Sequence, residues 1–213
     1  MTQEDLIKLV SQKVMERLRK VEDLYIPVGV SNKHIHLSQD HLEILFGPGY
    51  NLTEKKALGQ PGQYAAEETV TVRGPKGEFK NVRILGPVRP RTQLEISKTD
   101  SFKLGVKSPI KESGDLQGSP GLELIGPKGK VQLEEGTIVA LRHIHMTPED
   151  ARKMEVEDGD FVDVKVYGQR RATMSNVLIR VSDKYSLEMH VDTDEANAMG
   201  LRNKDQVILS KFI

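Results

Sequence analysis

The feature that most constrains this chain is an internal duplication. Lys33-His34-Ile35-His36-Leu37-Ser38 recurs 109 positions later as Arg142-His143-Ile144-His145-Met146-Thr147. In both copies a His-x-His pair runs into a hydroxyl residue placed to cap a helix. With 6 histidines in 213 residues, chance supplies only about 0.2 such pairs, so two with matching flanks are read as a repeat. The likeness continues downstream. Asn81-Val82 leads to Leu94-Glu95-Ile96 in the first copy, and Asn176-Val177 leads to Leu187-Glu188-Met189-His190 in the second. The chain reads as one small β-domain made twice.

Turn signals punctuate everything past Pro27, among them Gly47-Pro48-Gly49, Pro61-Gly62, Gly86-Pro87, and Gly-Pro-Lys-Gly at both 74–77 and 126–129. Between them lie β-branched stretches such as Thr69–Val72, Phe161–Val166 and Val177–Val181. Mostly antiparallel β structure, as sandwich or barrel, is expected. Two helices are predicted inside the repeat, Gln39 to Leu45 after Ser38 and Pro148 to Met154 after Thr147. A third covers residues 1–21, with Ile7, Val10, Val14, Leu18 and Val21 at helical spacing and Thr2 and Asp5 as a capping pair. Pro27 stops it, so it stands as an amphipathic appendage over residues 1–24. The first β-domain is then placed at 25–135 and the second at 136–213. Residues 100–135 have no partner in the repeat.

Composition narrows the function. Lys plus Arg and Asp plus Glu are each 31, so no chain-wide field favours nucleic acid. No apolar run approaches the roughly 20 residues that span a bilayer, and neither a signal h-region nor a cleavage site is seen. A soluble, cytoplasmic protein is expected. Cysteine is absent, which removes disulfides, thiolate metal clusters and a cysteine acyl-enzyme. Any metal must be held by nitrogen and oxygen.

The duplicated motif supplies those donors. In a strand, residues i and i+2 face one side, so His34 with His36, and His143 with His145, each form a two-pronged claw. A catalytic zinc typically takes three protein donors. The repeat offers Glu95 as the third in the first copy, and Glu188 or His190 in the second. His190 is favoured because imidazole is the commoner zinc donor. His41 reads as an ordinary exposed helix residue. Two divalent ions with one carboxylate leave the site positive and suited to an anionic substrate. Arg83, Arg89 and Arg91 run into Glu95 and could recognise phosphate or carboxylate.

These residues carry a resemblance to a known family. Val28-Gly-Val-Ser-Asn-Lys-His-Ile-His-Leu-Ser38, Gly86-Pro-Val-Arg-Pro-Arg-Thr-Gln-Leu-Glu-Ile-Ser97 and Arg142-His-Ile-His-Met-Thr-Pro-Glu-Asp150 strongly resemble the PduL-type phosphate acyltransferases, the phosphate propanoyltransferases. Met189-His-Val-Asp-Thr-Asp-Glu-Ala-Asn197 adds a fourth motif. The resemblance covers essentially all of the chain past Tyr25. It implies two tandem small antiparallel β-barrels, a site for two Zn²⁺ or another divalent metal, and reversible transfer of a short acyl group, propanoyl or acetyl, between coenzyme A and phosphate. It also implies a homodimer or higher homo-oligomer. Matched residue by residue, His34, His36 and Glu95 would hold one zinc and His143, His145 and His190 the other. Arg89 would hold phosphate, while Val30, Ser31, Asn32, Lys76, Arg83 and Asn197 would line the coenzyme A path. The N-terminal helix resembles the encapsulation peptides that direct enzymes into bacterial microcompartments, which implies shell proteins as partners.

Two rivals stand beside this reading. The same ions could activate water in a dinuclear metallohydrolase of phosphoesters or thioesters, or could staple two small barrels into a scaffold.

Overall fold

The computed structural model describes residues 2–22 and 25–210, with the side chains of 15–22 left out. Leu18 and Val21 of the expected apolar stripe lie outside the described side chains, as do residues 211–213 of the second half. In chain order the elements are α1 (Gln3–Glu22), β1 (Tyr25–Ser31), β2 (His34–His36), α2 (Gln39–Phe46), β3 (Glu54–Ala57), β4 (Tyr64–Arg73), β5 (Glu78–Gly86) and β6 (Gln93–Glu95). They continue with α3 (Lys98–Leu104), β7 (Ile110–Lys111), β8 (Glu123–Ile125), β9 (Lys130–Gln132), β10 (Thr137–Ala140), β11 (His143–Met146), α4 (Pro148–Met154), β12 (Phe161–Val166), β13 (Ala172–Val181), β14 (Glu188–Asp192), α5 (Thr193–Met199) and β15 (Gln206–Ser210).

The fold is mainly β, in two barrel-like halves. One sheet closes on itself in the order β1-β14-β11-β13-β12-β15, and the other is an open nine-stranded sheet, β7-β10-β6-β2-β5-β4-β8-β9 with β3 beside β4. Closure removes the exposed edges of the first. Each half has its own core, one around Ile26, Ile144, Val164 and Val207, the other around Ile35, Leu42, Val70 and Leu94.

The halves exchange their leading strands. β1, which precedes the first His-x-His, pairs with β14 and β15 of the closed barrel, while β10, which precedes the second, pairs with β6 and β7 of the open sheet. The two sheets therefore do not divide the chain into the consecutive stretches 25–135 and 136–213. The parallel pairs are β2 with β5, β11 with β13, β1 with β14, and β10 with both β6 and β7, so the antiparallel expectation holds for most pairs and fails at the His-x-His strands and the exchanged strands.

Local chemistry explains the helices. Ser38 accepts the His41 amide at the head of α2, and Thr147 forms a reciprocal capping box with Asp150 at α4. Two short helices not expected from the sequence, α3 and α5, follow the downstream strands and are capped by Ser97 and Asp192. In α1, Thr2 and Asp5 bond reciprocally as expected. Its Leu6, Ile7, Leu9, Val10 and Val14 are all exposed. No helix among the described residues is long and apolar enough to cross a membrane.

Candidate active site

Register builds the site. In β2 and β11 the central isoleucines, Ile35 and Ile144, are wholly buried in opposite cores, and the pleat turns the flanking histidines to the other side. Glu95 on β6 lies directly opposite His34, and His190 on β14 lies directly opposite His143. Directly opposed side chains stand about 4.5–5.5 Å apart at Cβ, which is why each claw acquires its third donor from that position. The donor atoms of His34, His36 and Glu95 all lie within 4.8 Å of one another, and so do those of His143, His145 and His190.

Ring nitrogens are committed in a pattern that suits cations. The Nδ1 of His34 meets the Asn32 carbonyl and that of His143 the Leu141 carbonyl, each at 2.8 Å. Each bond fixes the tautomer and turns Nε2 inward. His36 Nδ1 and both nitrogens of His145 are buried without a hydrogen-bond partner, and buried His190 Nε2 has only the Glu188 carboxylate in range. Buried polar atoms are rarely left unpaired, so this donor set fits two metal ions of the nitrogen- and oxygen-seeking kind.

Burial sets the protonation. It pushes His36 down to about 3, aided by Arg89 and His34, and His143 to about 4, aided by His190. His145 falls to about 2, through burial and then His143, His190 and Arg180. These rings are neutral and ready to ligate. For Glu95, burial works upward, but His34 and Arg89 beside it outweigh this and hold the carboxyl well below the usual range.

Both triads face one cavity of about 510 Å³, which is also lined by Val30, Ser31, Asn32, Arg83 and Arg89. The structure thus brings together eleven of the thirteen site residues read from the sequence. Lys76 and Asn197 are exposed and stand outside the lining. The Lys76 amide bonds the Leu104 carbonyl at the end of α3, and Lys128 of the second Gly-Pro-Lys-Gly turn does the same to Leu45 at the end of α2. Both turns therefore dock on helix ends. Arg83 donates to the carbonyls of Ala66 and Glu67. His41 is half-buried, with Nδ1 2.7 Å from Thr92 Oγ1, and is outside the cavity.

Arg180, Gln60 and Ser113 line the cavity and escaped the sequence reading, whereas Glu188 was already a candidate there. Arg180 lies beside His145 on β13, its guanidinium over the Tyr185 ring, which itself stacks on His145 with centroids 4.1 Å apart. Gln60, in the turn between β3 and β4, exchanges hydrogen bonds with the Ser186 backbone and reaches Glu188. Ser113 comes from the unrepeated segment and contacts Arg89. Glu188, the alternative to His190, places its carboxylate 3.1 Å from His190 Nε2. A side chain on Gly29 or Gly59 would strike it, with Cβ within 2.9 Å and 2.8 Å respectively. Among the described residues neither Arg89 nor Arg180 has a carboxylate in ion-pairing range. Burial, and then Arg180, lower the pKa of Arg89, so two guanidinium groups stand ready for an anion.

A duplicated β protein whose paired histidine-rich triads share one anion-receptive cavity is thereby defined. Sequence comparison places it more closely: the profile of the phosphate propanoyltransferases matches residues 27–202. A phosphate propanoyltransferase of Thermotoga maritima is 53% identical over 210 residues, covering 96% of this chain and all of the relative. Those of Rhodobacter capsulatus and Salmonella typhimurium are 57% and 52% identical, covering 87% and 93% of this chain and 86% and 93% of their own length. The chain belongs to the phosphate propanoyltransferase family and is an acyltransferase.

Proposed function

We propose that this chain transfers a short acyl group, propanoyl or acetyl, reversibly between coenzyme A and inorganic phosphate at a two-zinc site. The observation that carries this reading is the meeting of two unpaired guanidinium groups and two triads of buried donors in one cavity. His34, His36 and Glu95 hold one ion, and His143, His145 and His190 the other. When bound, the ions supply Lewis acidity toward a thioester carbonyl and attract the phosphate.

The protein's own groups do the rest. Arg89 and Arg180 fork onto phosphate and fix its attacking oxygen. That oxygen bonds the acyl carbon, the carbon–sulfur bond breaks, and coenzyme A leaves as its thiolate. No cysteine exists to carry the acyl group, so direct displacement is favoured over a thioester intermediate on this chain. Val30, Ser31, Asn32 and Arg83 receive the coenzyme A arm at the cavity wall. Lys76 and Asn197 are assigned to the part of coenzyme A that extends beyond the cavity.

Two wider proposals go with this. The protein works as a homodimer or higher homo-oligomer, for which the exposed Phe102, Ile110, Phe161 and Tyr167 offer apolar surface. The apolar residues of α1 address it to the shell proteins of a bacterial microcompartment.

The deciding experiment is thiol release from propanoyl-CoA by zinc-loaded protein, with and without phosphate, with propanoyl phosphate as second readout. Phosphate-dependent release that yields acyl phosphate is expected, and Arg89→Ala should abolish it with zinc content intact. Phosphate-independent release would mean a hydrolase, and no release despite bound zinc a scaffold.

A further inference from the structure

Ser113 lies in the segment 100–135 that has no counterpart in the repeat, in the loop after β7, yet its side chain reaches the first triad. Three hydrogen bonds converge on its hydroxyl. Arg89 Nη1 approaches at 3.2 Å and Gln93 Nε2 at 2.7 Å, and Oγ lies 3.1 Å from Glu95 Oε1. The direction of each bond is fixed by chemistry. A guanidinium and an amide NH₂ only donate, and an ionised carboxylate only accepts. The hydroxyl has one proton and two lone pairs, so its proton goes to Glu95 and its lone pairs are filled by Arg89 and Gln93.

The neighbours leave little choice. The Gly114 amide donates to Gln93 Oε1 at 2.7 Å, which turns Gln93 Nε2 toward Ser113 and toward Glu95 Oε1, 2.5 Å away. Glu95 Oε1 therefore takes two donors. Oε2 is left on the side of His34, whose Nε2 is 3.4 Å from it.

We propose that Ser113 is a positioning residue that joins the anion-binding Arg89 and the metal-binding Glu95 into one unit. It sets the guanidinium for phosphate, and it holds the carboxylate so that Oε2 is the ligand atom. The inference rests on the reading of the cavity as a phosphate-accepting two-zinc site. A nucleophilic serine would need a free lone pair and a base placed to take its proton. Here both lone pairs are occupied by cationic or amide donors.

The test uses Ser113→Ala and Ser113→Thr in the full-length protein. Metal-stripped protein is titrated with Zn²⁺ against a chromophoric chelator, and the zinc-loaded enzyme is assayed over a range of phosphate. For Ser113→Ala, one of two zinc equivalents should weaken by roughly 10- to 100-fold, the usual effect of removing a hydrogen bond to a metal ligand, while the other is unchanged. The KM for phosphate should rise roughly tenfold, with kcat within a few-fold of its original value. Ser113→Thr, which keeps the hydroxyl, should restore both. If Ser113→Ala does not fold, Ser113→Cys, with its weaker donor, should shift both readouts the same way. Unchanged zinc affinity and unchanged KM would overturn the proposal. So would a loss of kcat beyond about 1000-fold at saturating phosphate with zinc binding intact, since that would make Ser113 a reacting group. Thiol release by the unaltered enzyme that ignores phosphate would instead refute the transferase reading, and the zinc titration would still decide whether Ser113 braces Glu95.

Discussion

Three of the buried imidazoles make the metal-free protein a sensor of mild acid. Removal of metal followed by a shift from about pH 8 to pH 5 is the perturbation. His36, His143 and His145 have pKa values near 3, 4 and 2 in the fold, against 6.5 when unfolded. Below pH 6.5 the unfolded chain takes up protons that the folded chain refuses, so stability falls as pH falls. The stabilisation is complete above the unfolded value. It drains away as pH drops from 6.5, and levels off only when the buried rings accept protons, near pH 4 and below. At pH 5 each ring costs about 2 kcal/mol, and the three together about 6 kcal/mol. That is comparable to the whole stability of a typical domain, about 5–15 kcal/mol. Glu95 acts in a lower window. Its carboxyl is depressed below the usual 4.5, so its contribution is present above that value and is lost only in stronger acid.

Urea unfolding of chelator-stripped protein, followed by circular dichroism at about pH 8, 6.5, 5.5 and 5, measures this. The slope of stability against pH should approach three protons near pH 5, and His145→Asn should remove about one of them. Zinc-loaded protein should hold its midpoint further into acid, because the ions occupy the nitrogens that would otherwise be stranded. Metal-free stability that is equal at pH 8 and pH 5 to within about 1 kcal/mol would refute the argument. The rings would then take protons in place, and the cavity could not be the dry pocket that the unpaired nitrogens indicate.

Ile35→Ala and Ile144→Ala should each lower stability by about 2–5 kcal/mol in urea unfolding, and the double variant should show nearly additive loss because the two side chains sit in separate cores. Arg180→Met should raise the KM for phosphate at least tenfold while leaving two zinc equivalents bound; an unchanged KM would remove Arg180 from the anion site. Deleting residues 1–22 should leave turnover unchanged, since no side chain from 2 to 14 is buried, and should abolish co-sedimentation with assembled shells.

The sequence made the triads legible because the repeat states each His-x-His pair twice, and because a strand's period of two dictates which side chains share a side. The alignment offered Glu95 and, in the second copy, Glu188 or His190, and it is strand register that sets His190 opposite His143; α2 and α4 followed from caps that sit beside the histidines. The short helices α3 and α5 escaped because seven residues carry almost no periodicity, although Ser97 with Asp100 and Asp192 with Glu195 have the spacing of caps. The strand exchange escaped for a different reason. Nothing in β1 or β10 encodes which sheet will accept it, since pairing is settled by distant partners. The recurrence of Gly-Pro-Lys-Gly has a structural basis of its own: both turns dock helix ends through main-chain bonds from Lys76 and Lys128.

What the repeat could not convey is where its copies differ, and the site depends on those differences. Asn81 and Asn176, each with φ of 56°, mark equivalent points on β5 and β13. Counting from them, Arg83 corresponds to Leu178, and Leu85 to Arg180. The guanidinium thus stands beside the first histidine of one claw and the second histidine of the other. Only the second arrangement leaves the group without carbonyl partners, because Arg83 is held by Ala66 and Glu67. The braces differ as well: Gln93 and Ser113 support Glu95, while Gln60 supports Glu188 beside His190. Two identical half-sites would face each other with the same charge and leave no direction for a transfer. The unequal pair has a carboxylate in one triad and only imidazoles in the other, with Arg89 and Arg180 lining the same cavity without a carboxylate partner among the described residues, so its two ends differ in charge and in hydrogen-bonding capacity.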